Sequence, residues 1–86
     1  MTQWDKLLHR ILTISRDMRF EEVRKVLEHY GYNMESPRGG GSHHTFRKLG
    51  HESLTIPNHS PIKSVYIEKI RDIIMTDEEE RHENSR

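Results

Sequence analysis

Apolar residues recur with a helical period at the start of the chain. Trp4, Leu7, Leu8, Ile11 and Leu12 fall at i, i+3, i+4, i+7 and i+8, with Asp5, Lys6, His9 and Arg10 on the flanks. A second stripe, Phe20, Val23, Val26, Leu27 and Tyr30, predicts a second helix. Glu21 and Glu22 suit its first turn, Asp17 is an early candidate for its N-cap, and Gly31 stands where a C-terminal cap is expected. After Gly31 the period changes to two. Tyr32–Glu35, His43–Arg47 and Ser53–Ile56 then read as short strands, joined by Pro37-Arg38-Gly39-Gly40-Gly41-Ser42 and by Leu49-Gly50-His51-Glu52. Pro57 and Pro61 interrupt the backbone after the third strand. A last helix is predicted from about Ser64, with Ile67, Ile70, Ile73 and Ile74 as its apolar face.

The order helix, helix, three strands, helix with short connections predicts an α+β fold. Its antiparallel three-stranded meander carries the helices on one face. Strand alternation then divides the side chains. With Tyr32, Met34, Phe46, Leu54 and Ile56 turned to the helices, His44 also faces inward. His43, Thr45, Arg47, Asn33, Ser53 and Thr55 share the open face.

Composition sharpens this picture. The 86 residues are 31% hydrophobic and 33% charged, so the core of one small domain must be thin. There is no cysteine, which excludes disulfides and thiolate metal sites. Met1-Thr2-Gln3-Trp4-Asp5 has no basic signal region, and no apolar run approaches the roughly 20 residues of a membrane span. A soluble, cytoplasmic protein with no membrane partner is expected. The formal charge of zero conceals an asymmetry. Residues 36–64 carry Arg38, Arg47, Lys48 and Lys63 against Glu52 alone, together with four histidines. The segment after Met75 carries five acids and two bases, and from Asp77 onward it has nothing to bury, so an acidic disordered tail is expected over 76–86.

His43 is the candidate for chemistry. An imidazole titrates near pH ~6.5 and can take a proton from a ribose 2′-hydroxyl at neutral pH, with no metal and no cofactor. Arg38, Arg47 or Lys48 could then stabilise charge on the phosphoryl oxygens. The plainer alternative is a solvated strand histidine. His43, His44, His51 and His59 also invite a zinc site, but adjacent strand residues point to opposite faces and Glu52 is the only nearby carboxylate. The run Gly39-Gly40-Gly41-Ser42 leads into a strand rather than a helix and lacks the Gly-Lys-Ser/Thr of a Walker loop. It reads either as backbone N–H groups offered to a phosphate or as a flexible connection.

Gly41-Ser42-His43-His44-Thr45-Phe46-Arg47, followed by Leu54-Thr55-Ile56-Pro57-Asn58-His59, resembles the HicA toxin family. Gly31-Tyr32 at a helix end and Ile67, Ile70 and Ile74 in the terminal helix extend the resemblance over about residues 18–75. It implies a fold similar to the double-stranded-RNA-binding domain, α-β-β-β-α, here with an additional helix in residues 1–17. It also implies an mRNA interferase that binds and cleaves messenger RNA and is held inactive by a HicB-like antitoxin. The family's catalytic histidine falls on His43, which alternation independently assigns to the open face. Arg38, Gly41, Ser42, Thr45, Arg47 and Lys48 are then the candidate RNA-binding residues. The antitoxin is expected on the open sheet face or on the Trp4, Leu8 and Leu12 stripe. A non-catalytic RNA-binding or protein-interaction module is the alternative.

Overall fold

The first stripe folds as α1 (Gln3–Leu12), opened by a capping box. Thr2 Oγ1 accepts from the Asp5 N–H (3.1 Å), and the Asp5 carboxylate accepts from the Thr2 N–H (3.3 Å). The structure is a computed structural model that describes residues 2–84, with side-chain surroundings through residue 80. Leu7 and Ile11 are buried, and Trp4 and Leu8 pack against the core more loosely. At the end of α1, Ile14 takes a left-handed conformation (φ 54°). The Ser15 N–H then reaches the Arg10 carbonyl (2.8 Å), and the Ile14 N–H reaches that of Ile11 (3.0 Å). A β-branched residue in this conformation costs about 1–2 kcal/mol. Packing of the Ile14 side chain against the core offsets it.

The linker after α1 is held by charge. Arg10 spans it, donating to Glu22 (2.6 Å) and Asp17 (3.0 Å), and Ser15 Oγ donates to the same Asp17 carboxylate. Asp17 is therefore not the N-cap of the next helix, as its position suggested. α2 (Phe20–His29) begins from Arg19, whose N–H donates to the Glu22 carboxylate (2.8 Å). Its other end closes at Gly31 (φ 94°) as the sequence predicts. The Tyr32 N–H bonds the Leu27 carbonyl (3.0 Å) and the Gly31 N–H that of Glu28 (3.1 Å).

Three antiparallel strands follow in the order β1 (Asn33–Glu35), β2 (His43–Arg47) and β3 (Leu54–Pro57), with β2 central. Phe46 lies opposite Met34 on one side and Leu54 on the other. Phe46 and Ile56 are completely buried with Val23, Val26 and Leu27 of α2. α3 (Ser64–Asn84) adds Ile67, Ile70 and Ile74 to the same core, and α1 packs on it. The α+β architecture, with three helices and an antiparallel sheet, is the expected one.

Over residues 76–84 the expected disordered tail is instead the end of α3, which continues through Asn84, while residues 85–86 lie outside the described residues. Glutamates are strong helix formers, and extending a helix already anchored in a core needs no new nucleation. Asp77 also lies 3.9 Å from Lys48 Nζ at the end of β2, which ties the extension to the sheet. Among the described residues no helix is long and apolar enough to cross a membrane.

The Arg10–Asp17–Ser15 knot makes a pH prediction. The Ser15 hydroxyl and then the Arg10 guanidinium hold the Asp17 carboxyl below its usual 3.8. Its contribution is therefore complete above that value and is lost as pH falls through the lower folded one. Asp17→Asn should melt below wild type at pH 7 in thermal denaturation, with the gap closing below about pH 4.

Candidate active site

Because β2 is paired on both edges, its alternate side chains are committed to opposite faces of the sheet. His43, Thr45 and Arg47 stand on the face away from the helices. His43 is opposite Pro57, Thr45 lies between Glu35 and Thr55, and Arg47 is opposite Asn33. The open face predicted from alternation is therefore the one observed. The Thr45 and Thr55 hydroxyls are hydrogen-bonded across the strands (3.1 Å).

His44 goes the other way. Its ring centroid lies 5.1 Å from that of Phe20, and its Nε2 is 3.4 Å from Asn58 Nδ2. Its Nδ1 is buried without a hydrogen-bond partner among the described residues. His43, by contrast, is exposed. Of these adjacent imidazoles, His43 is the one open to a substrate from solvent. The two rings diverge across the sheet and do not converge on one ion.

The glycine turn delivers the start of β2 to a fixed point. Gly39 and Gly40 adopt φ of 80° and 84°, and nothing lies within 4 Å of a Cβ built on either. The glycines are thus needed for backbone conformation rather than for close approach. At the end of the turn the Asn58 N–H donates to the Ser42 carbonyl, which ties the start of β2 to the end of β3. Gly41 and Ser42 are exposed immediately before His43, and Arg38 is exposed in the turn.

The predicted cationic residues separate. Arg47 is on the His43 face, but its Nε donates to the Glu35 carboxylate (3.0 Å), with both side chains more than half exposed. Such a pair is worth only about 0.2–1 kcal/mol, so a phosphate can compete for the guanidinium. Lys48 is not on that face. It lies against Gly31, with Nζ 5.7 Å from the Tyr32 ring centroid and 3.9 Å from Asp77. Burial, and then the Asp77 charge, raise the Tyr32 phenol above its usual 10.0. Lys48 thus clamps β2 to α3 instead of joining His43.

Sequence reasoning missed Glu35 and Asn58. The signal for Glu35 was present, because the alternation that exposes Asn33 exposes Glu35 too. Asn58 carried no such signal, since its role depends on the β2–β3 register.

A family model, the HicA toxin of bacterial toxin–antitoxin systems, matches residues 20–75, about two thirds of the chain. The match begins at the first residue of α2 and stops within α3, leaving α1 and the end of α3 outside. Comparisons with curated proteins and with solved structures give no match.

The opposed placement of the two histidines predicts different costs. His44→Ala removes a ring packed on Phe20 and should lower stability by about 1–2 kcal/mol, whereas His43→Ala should leave it within about 0.5 kcal/mol of wild type. Paired melting curves decide this, and the reverse order would mean a register displaced by one residue.

Proposed function

This chain belongs to the HicA family of bacterial toxin–antitoxin toxins, and on that footing we propose that it binds messenger RNA and cleaves it with His43 as general base. The observation that carries this reading is the placement of His43: it is an exposed imidazole on the polar face of the sheet, beside a glycine turn, while His44 is packed against Phe20.

In this mechanism the RNA backbone lies along the open face with a phosphodiester near the start of β2. His43 removes the proton of the 2′-hydroxyl, and the oxygen attacks the adjacent phosphorus. The backbone N–H groups of the exposed residues Gly41 and Ser42 and the Arg38 side chain approach the phosphate from the turn. Arg47 exchanges Glu35 for a phosphate further along the strand, beside the Thr45 hydroxyl. No residue in this scheme calls for a metal or an organic cofactor.

The partner of such a toxin is a HicB-type antitoxin, and the open sheet face is the surface it covers. The alternative surface, the α1 stripe, is largely occupied within the chain: Leu7 and Ile11 are buried, Trp4 packs at a tilt on His29 with ring centroids 4.3 Å apart, and Leu12 is the stripe residue left substantially exposed. Covering His43 and Arg47 denies RNA both the base and a phosphate contact. An acidic antitoxin surface would speed that association and make it salt-sensitive.

His43→Ala should reduce RNA cleavage by about 10²–10⁴-fold, the usual worth of a general base, and abolish growth arrest on induction, with an unchanged melting temperature. Full cleavage by a folded His43→Ala protein would sink the assignment, and RNA binding without cleavage by wild type would leave a non-catalytic module. Arg47→Glu should weaken RNA binding and antitoxin binding together, whereas Lys6→Glu, on α1, should weaken neither. Binding titrations at two salt concentrations check both.

A further inference from the structure

Attack by the 2′-oxygen needs a base, and departure of the 5′-oxygen needs an acid. An alkoxide is a poor leaving group, so a second proton-transfer group on the far side of phosphorus accelerates the step. Several titratable side chains near the sheet are committed elsewhere. Glu35 stands opposite Thr45, further along β2 than His43, Lys48 is held by Asp77, and His44 packs on Phe20. His51 lies at the opposite end of β2, beside the Tyr32 ring at 6.3 Å.

His59 is different. The β2–β3 ladder runs from Phe46–Leu54 to His43–Pro57, and the Asn58 N–H extends it to the Ser42 carbonyl. The chain therefore reaches His59 at the end of the sheet where His43 and the glycine turn lie. The strand ends at Pro57 and the chain bends at Asn58, so His59 follows directly on the residue that is hydrogen-bonded to the neighbour of His43. The backbone around His59 is pinned on both sides. Its own N–H bonds the Pro57 carbonyl (3.0 Å), Ser60 Oγ accepts from the Phe20 N–H (3.4 Å), and the Ile62 N–H bonds the Met18 carbonyl (2.8 Å). His59 is nevertheless exposed. A proton-transfer group on a backbone held between the start of β2 and the head of α2 is preorganised relative to His43.

We propose that His59 is the general acid of the cleavage step, opposite His43, an inference that rests on the ribonuclease reading above. His43 takes the 2′-hydroxyl proton as the O2′–P bond forms. The P–O5′ bond breaks, its electron pair goes to O5′, and the His59 imidazolium delivers a proton to that oxygen. The products are a 2′,3′-cyclic phosphate and a 5′-hydroxyl, with His43 protonated and His59 neutral. Water restores both states by proton exchange.

The test compares wild type, His59→Ala, His59→Gln and His43→Ala on two oligonucleotides. One is RNA, and the other carries sulfur in place of the scissile O5′, so that its thiolate leaves without a proton. His59→Ala and His59→Gln should cleave RNA about 10²–10⁴-fold more slowly than wild type but the sulfur substrate at nearly the wild-type rate. His43→Ala should be slow on both. The wild-type pH–rate profile on RNA should fall at high pH, where the acid is deprotonated, and His59→Ala should lose that fall while keeping the rise at low pH. Equal losses on both substrates, or undiminished RNA cleavage, overturn the assignment of His59. A wild-type protein inert on both substrates overturns the ribonuclease reading itself.

Discussion

The pairing of β2 on both edges is the constraint on which the other features of this protein depend. Phe46 must be buried, and Leu54 and Met34 flank it in register. A slip by one residue would expose that ring and bury His43, Thr45 and Arg47 in its place, at a cost a thin core could not meet. The polar face is thus a consequence of the apolar one. His43 is presented to solvent because Phe46, three positions away, has no other place to go.

A core this small draws on every element. α1 lies outside the family match yet contributes Leu7 and Ile11, and the Arg10 knot fastens its linker to the first turn of α2. The segment after β3 is tied to the residues just before and at the start of α2 through Ser60 and Ile62. The same ties that close the core therefore hold the backbone on which the polar end of the sheet is displayed. Packing and presentation of the histidines are one mechanical system.

Charge is distributed less simply than composition suggests. The centre of the chain is basic by count, but Glu35 faces Arg47 and Asp77 faces Lys48. What remains along the open face is an imidazole, hydroxyls, a paired guanidinium and a glycine turn with one exposed arginine. A polyanion on that face would have to displace Glu35 from Arg47 rather than meet an unopposed cationic field, and with so few cations to neutralise phosphates its salt dependence would be shallow.

Periodicity and the placement of Gly31 determined the element order, the antiparallel α+β class, the Gly31 cap and the division of β2 into an inward His44 and an outward His43. Each follows from a local rule: a period of 3.6 or 2, or a backbone conformation that favours glycine. The resemblance at Gly41–Arg47 likewise foresaw the family. Only the tertiary structure decided which charges meet. Asp17 turned from a cap to Arg10, Lys48 left the candidate site for Asp77, and the supposed tail became the end of α3. Those outcomes join residues 7 to 29 positions apart, and no local pattern encodes them. They depend on how helices and strands pack, which is settled by the whole core at once.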